Sequence, residues 1–163
     1  RPRKWKIASA LIMKLQDLPF SHVALCVADR NLGVRKIYEA KMPLSRLVLL
    51  EKFLEHNEIV DAYTINLSDA DLWDVEIKAL TDLGTEYGWR GILGNLIFIF
   101  TGYFPKWAQD GKVSEYCCEY LARCFEIKNI DPDRLDLRAF RAWLNIAGKP
   151  VPSKIIQDLN RNK

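Results

Sequence analysis

Cys117 and His22 are the residues of this chain best equipped for covalent chemistry, the first as a thiol nucleophile and the second as its base. Ser114 has the character of an N-cap. Tyr120, Leu121, Cys124 and Phe125 recur at helical spacing, so a helix is expected to open at Ser114 and to carry Cys117 in its first turn. Unpaired N–H groups and the positive end of the helix dipole favour a thiolate there, and a nearby imidazolium favours it further. His22 opens the run Ser21-His22-Val23-Ala24-Leu25, which reads as the start of a strand. Cysteine is also a small hydrophobe, so a Cys117-Cys118 pair on an amphipathic helix fits plain core packing too.

A thiol hydrolase needs a nucleophile, a base within reach, a group that orients the base, and N–H donors for the oxyanion. Cys117 and His22 fill the first two roles. Glu39, on the expected neighbouring strand, fits the third, and the backbone N–H groups at the start of the Cys117 helix fit the fourth. Each has a bland alternative: a lone strand histidine is often a satisfied core residue, and a glutamate at a strand end is often a solvated charge. His56, in the polar run Leu54-Glu55-His56-Asn57-Glu58, reads as surface.

The elements that must position these groups follow from periodicity. Lys6 to Gln16 has a helical pattern ended by Pro19. His22 to Ala28 alternates as a strand, with His22, Ala24, Cys26 and Ala28 on one face and Val23, Leu25 and Val27 on the other. The small side chains beside His22 suggest that the Cys117 helix crosses on that face. Asp29 to Gly33 reads as a turn into a second strand, Val34 to Ala40, completing a hairpin. A helix is expected from Leu44 to Glu55, a strand from Glu58 to Leu67, and a helix from Ser68, opened by a capping box with Asp71, to Leu83.

Gly84, Gly88 and Gly91 interrupt the pattern before the apolar segment Ile92 to Phe100, read as a buried helix. Residues Gly102 to Gly111 read as a loop, Asp131-Pro132 as a turn, Leu135 to Ile146 as a helix, and Gly148 to Lys163 as a polar end with one helical turn. Helix, strands, then mostly helices argue for an α+β fold with a small antiparallel sheet packed against helices.

The 163 residues, 49% hydrophobic and 28% charged, suit one core and hence one domain over residues 1–163. The net charge is +3, with a basic N-terminal arm at residues 1–6 (Arg1, Arg3, Lys4, Lys6 and Trp5). An arm this short does not lead us to expect a stable nucleic-acid complex. Four cysteines, Cys26, Cys117, Cys118 and Cys124, lack the spacing of a disulfide framework, so reduced thiols of the cytoplasmic kind are expected. Two histidines and no Cys-x-x-Cys pair do not make a metal site, and no cofactor is expected. No secretory signal is recognisable. The apolar segment falls short of the roughly 20 residues that span a bilayer, although the aromatic stretch Leu93 to Trp107 has the composition of an acyl groove or a peripheral membrane contact.

Ser21-His22-Val23-Ala24, Ile37-Tyr38-Glu39-Ala40, Tyr87 and Tyr116-Cys117-Cys118-Glu119-Tyr120-Leu121, in that order, resemble the motifs of circularly permuted papain-like amidases, the YiiX/YaeF type of the NlpC superfamily. The mark of the permuted branch, which includes lecithin:retinol acyltransferase-like proteins, is histidine before cysteine. The resemblance spans about residues 18 to 128. It implies a papain-like fold, with Cys117 as nucleophile, His22 as base, Glu39 as third member, and Ser21, Tyr38, Tyr87 and Tyr116 at the substrate. Cys118 stands where the family signature has serine, and Gly88 where an aspartate often follows the tyrosine. The implied activity is cysteine-dependent hydrolysis of amide, peptide-like bonds. Lipid acyl transfer or thioester hydrolysis, and an inactive binding module of the same fold, are the alternatives.

Overall fold

In the computed structural model, residues 3–29, 33–108, 114–127 and 131–161 are described. They form α1 (Arg3–Gln16), β1 (Leu25–Ala28), β2 (Arg35–Lys41), β3 (Leu44–Leu49), α2 (Leu50–Leu54), β4 (Tyr63–Ile65), α3 (Asp69–Thr81), β5 (Glu86–Tyr87), α4 (Trp89–Thr101), β6 (Ser114–Glu115), α5 (Cys117–Cys124), α6 (Leu137–Ala147), β7 (Gly148–Pro150) and α7 (Ser153–Arg161). Short 3-10 turns lie at Lys106–Ala108 and Pro132–Arg134. The fold is mixed α+β. Of the basic arm, Arg1 and Pro2 lie outside the described residues, and the backbone from Arg3 onward already belongs to α1.

The main sheet has the order β1-β2-β3-β5-β6. Its first three pairings are antiparallel, but β5 and β6 run parallel, Tyr87 beside Glu115, so the sheet is mixed and not purely antiparallel. The β1–β2 hairpin forms as its alternation predicts, with Gly33 at a positive φ of 65° where glycine is least strained. Residues 30–32 of the expected turn lie outside the described residues.

The stretch expected as a helix from Leu44 is instead β3, pairing from Leu44 opposite Lys41 to Leu49 opposite Lys36, and only Leu50–Leu54 is helical. Pairing satisfies the backbone of β2, which helix propensity could not do. Strand structure between Glu58 and Leu67 shrinks to Tyr63–Ile65, paired with Gly148–Pro150 in a small second sheet. The polar C-terminal segment thus supplies a strand and the helix α7.

The main core lies between one sheet face, through Val27, Tyr38 and Ala40, and helices α3, α5 and α6, through Val75, Ala79, Leu121, Leu137 and Phe140. On the other face Ile37 packs against Leu50, Phe53 and Leu54 of α2, with Ala24 alongside. Helix α5 therefore covers the Val23, Leu25 and Val27 face, not the small-residue face that carries Ala24. Bulky β-branched and leucyl side chains give the larger apolar area to bury, and that face draws the buried helix.

Candidate active site

Extending the Leu25–Tyr38 pairing by one residue sets Glu39 opposite Ala24, with His22 two residues further along the same face. This is the diagonal cross-strand relation that long side chains can bridge, and the methyl of Ala24 leaves the path open. His22 Nε2 lies 2.8 Å from a carboxylate oxygen of Glu39. On the other flank Arg46 is the direct partner of Glu39 across the β2–β3 ladder, and its guanidinium donates to the second carboxylate oxygen at 2.8 and 2.6 Å. Lys41 Nζ stands 3.8 Å from the same oxygen. Glu39 is wholly buried, so these partners decide its charge.

Cys117 is the first residue of α5. Its sulfur interacts with Cys118, with the His22 ring and with the Val23 N–H. Because Nε2 of His22 is engaged with Glu39, Nδ1 is left for the sulfur. The side chain reaches the imidazole where the chain enters β1, before the first ladder residue. That is how a helix packed on the opposite face still meets it.

The electrostatics favour an ion pair. The Cys118 thiol bonded to Cys117, together with the His22 imidazolium and the Val23 N–H, holds the Cys117 thiol well below its usual range in spite of burial. Burial opposes charge on His22, but the bonds to Cys117 and Glu39 outweigh it and push its pKa up to about 9. Burial likewise works against the Glu39 carboxylate, and the hydrogen bonds from His22 and Arg46 overcome it, setting its pKa at about 2. The arrangement at neutral pH is thiolate, imidazolium and carboxylate in sequence.

Ser114 does not cap α5. It belongs to β6, and the N-cap is Tyr116, whose side chain makes no capping bond. The first-turn N–H groups lack intrahelical carbonyls to pair with, which leaves Cys117 among donors suited to an oxyanion.

The remaining sequence-derived positions divide. Tyr87 sits in β5 at the site: burial, and then the charges of Cys117, Cys118 and Glu39, raise its phenol well above the ordinary range. Ser21 is half-buried in the bend immediately before His22. Tyr38 and Tyr116 keep their hydroxyls occupied elsewhere. Tyr38 donates to Glu76 of α3 at 2.5 Å, and Tyr116 donates towards the Leu135 carbonyl at 2.9 Å while accepting from Asn95 Nδ2 at 2.8 Å. Both act as struts under the site. His56 is exposed, 4.0 Å from Glu55.

Gly88 lies where β5 and β6 press together. A Cβ there would come within 3.0 Å of the Glu115 backbone. The parallel β5–β6 pairing that delivers α5 thus leaves no room for a side chain at this position.

Arg46, Lys41 and Arg123 are neighbours of the site that local pattern does not single out. Arg46 falls in a stretch whose local pattern predicts helix; once β3 pairs with β2, its place opposite Glu39 follows directly. Arg123 on α5 ties Glu119 and Asp133 at 2.7 Å each and Glu115 at 3.2 Å. Burial pushes Glu119 up to about 8, with Arg123 opposing and a hydrogen bond to Asp133 adding to the rise, so it holds a proton at neutral pH.

A domain of mixed α+β architecture with a buried thiol, a partly exposed imidazole and a buried carboxylate in series is what the fold and site define. Among known proteins, no family model, curated protein or solved structure matches the chain.

Proposed function

We propose that this protein is a cysteine-dependent hydrolase of amide bonds, built as a circularly permuted papain-like domain. The observation that carries the reading is the series Cys117, His22, Glu39, contributed by α5, the stretch leading into β1, and β2, with His22 hydrogen-bonded to Glu39 and interacting with the Cys117 sulfur. A structural cysteine has no need of a histidine so oriented.

The Cys117 thiolate attacks the carbonyl carbon, and first-turn N–H groups of α5 receive the developing oxyanion. As the C–N bond breaks, the His22 imidazolium gives its proton to the leaving amine, leaving a thioester and a neutral imidazole. That imidazole takes a proton from water as the hydroxide adds to the thioester. The C–S bond then breaks, restoring thiolate and imidazolium, and the product acid releases its proton to solvent. Glu39 keeps the ring oriented and its charge compensated throughout.

Iodoacetamide labelling followed by mass spectrometry tests the assignment. Cys117 is expected to react first, ahead of exposed Cys26, and Cys117→Ser is expected to abolish turnover of fluorogenic peptide amides. Preferential labelling of Cys26 or Cys118 with Cys117 inert overturns it.

A second reading, acyl transfer or thioester hydrolysis, is favoured by one feature. A cavity of about 520 Å³ with mostly apolar walls has His22 and Val23 in its lining, together with Phe20, Leu25, Leu121 and Phe125. Cys117 is not part of that lining, so the cavity approaches the base and not the sulfur. For this reason amide hydrolysis stands first. An acylated Cys117 after incubation with phospholipid would reverse the order.

A further inference from the structure

Helix α4 is apolar on nearly every side, and it is not buried. Gly91, Gly94 and Asn95 form its inward stripe. A Cβ at Gly91 would lie 2.8 Å from the Tyr116 ring, and one at Gly94 would collide with Ala108. Opposite that stripe, at helical spacing, stand Trp89, Leu93, Leu96, Ile97 and Phe100. Trp89 is 54% exposed and Phe100 69%, and beyond the helix end Tyr103 and Trp107 are 61% and 50% exposed. Hydropathy alone predicts a core helix here. The structure instead presents a ridge of large apolar side chains to solvent, and contiguous exposure of this kind marks a docking surface.

Charge indicates the occupant. Between Tyr87 and Ala108 there is no aspartate or glutamate, while Arg90 and Lys106 are exposed at the two ends of the ridge. The acidic residues packed beneath it, Glu115 and Glu119, the latter with its Oε2 4.0 Å from where a Cβ at Gly91 would lie, are paired with Arg123, as is Asp133. Tryptophan at both ends, joined by tyrosine at one, with leucine, isoleucine and phenylalanine between them is the layout of side chains that sit in a bilayer interface, rings at headgroup level and aliphatic groups below. The helix has 13 residues, and no helix of the described residues is long and apolar enough to cross a membrane. Such a surface lies on the bilayer.

We propose that the outer face of α4, extended by Tyr103 and Trp107, docks this protein onto an anionic phospholipid membrane, with Arg90 and Lys106 reading the lipid phosphates. Because α4 packs directly against Tyr116, the N-cap of the Cys117 helix, docking brings the site to the membrane. The inference does not depend on thiol chemistry, and a Cys117→Ser chain is expected to bind equally well.

Co-sedimentation of the full chain with vesicles of phosphatidylcholine alone, or of phosphatidylcholine with phosphatidylglycerol, tests it. The chain is expected to bind the anionic vesicles, and L93E/F100E to lose at least tenfold in partitioning while keeping its circular dichroism spectrum. R90E/K106E should lose severalfold on anionic vesicles only. Quenching of wild-type tryptophan fluorescence by brominated phosphatidylglycerol provides a readout that needs no variant. Absence of binding and of quenching overturns the proposal. So does unchanged binding by either double variant, or a dimer in solution that L93E/F100E converts to monomer without any vesicle binding, which would make the face a contact between copies.

Discussion

Glu39 and Arg46 face each other across the β2–β3 ladder, and the carboxylate that Arg46 holds at 2.6 Å is the one that orients His22. The arginine therefore fixes one oxygen of Glu39 and leaves the other for the imidazole. A buried carboxylate held from both sides is a rigid anchor for the ring, and it stays charged because both neighbours are cationic.

Replacing Glu39 by glutamine keeps the shape and removes the charge. His22 loses one of the interactions that raise its pKa, so the alkaline edge of activity is expected to move down from about 9. Turnover should fall by about 10²- to 10⁴-fold, the range seen when the orienting carboxylate of a triad is neutralised. A pH–rate profile of Glu39→Gln beside the wild type checks both effects, and an unmoved alkaline edge would mean that Glu39 does not act through His22.

The ion pair also shapes the reactivity of the wild type. An ordinary thiol loses about tenfold in alkylation rate per pH unit below its pKa. With the Cys117 pKa depressed and His22 protonated up to about 9, labelling of Cys117 is expected to fall far less steeply between pH 8 and 6 than that of an ordinary thiol. Amide hydrolysis should decline above about pH 9 as His22 loses the proton that the leaving amine requires. Rates of iodoacetamide labelling at Cys117 and Cys26 across this range supply the comparison.

Cys117, His22 and Glu39 could be singled out in the sequence because each stands at a point where local pattern is strong. The alternation through residues 22–28 sets His22 at the head of a strand, the following run puts Glu39 on its neighbour, and the helical spacing after Ser114 puts Cys117 in a first turn. The register that aligns His22 with Glu39 comes from the structure. What was not legible depended on distant partners. Residues Leu44 to Leu49 have no strong strand signature and become β3 because β2 offers a ladder. Ser114 resembles a cap but is drawn into parallel pairing with Glu86. The apolar run at Ile92 gave its helix correctly and its environment wrongly, since hydropathy does not say whether an apolar face meets protein or solvent. The β4–β7 pairing joins segments more than 80 residues apart, beyond what a local pattern encodes.

Glu119 gives a stability signature on the alkaline side. Its folded-state pKa is raised to about 8, so between the unfolded value of 4.5 and about 8 the native state holds a proton that the unfolded chain has released. Stability from this group is full below 4.5 and is lost as pH rises through 8. Glu119→Gln carries the neutral hydrogen-bonding form permanently. The variant is expected to lose less stability than the wild type between pH 6 and 9, measured by urea denaturation at each pH. Parallel curves for the two proteins would show that Glu119 is ionised when folded.

Gly91 is the contact through which α4 supports the Cys117 helix. On an isolated helix, alanine in place of glycine gains about 1 kcal/mol. Here the added methyl would lie 2.8 and 2.9 Å from two atoms of the Tyr116 ring, whose hydroxyl is held by Asn95 and the Leu135 carbonyl. The ring cannot yield without moving the N-cap of α5, so Gly91→Ala is expected to destabilise by about 1–3 kcal/mol, the usual range for overpacking. Labelling of Cys117 should slow in parallel as its first turn shifts. Introducing the same change beside Tyr116→Ala removes the clash, and in that background the helix-forming gain of alanine should reappear. A double-mutant cycle by chemical denaturation measures the coupling. A coupling near zero would show that α4 and the Tyr116 cap move independently, and that a load on the outer face of α4 is not transmitted to the sulfur.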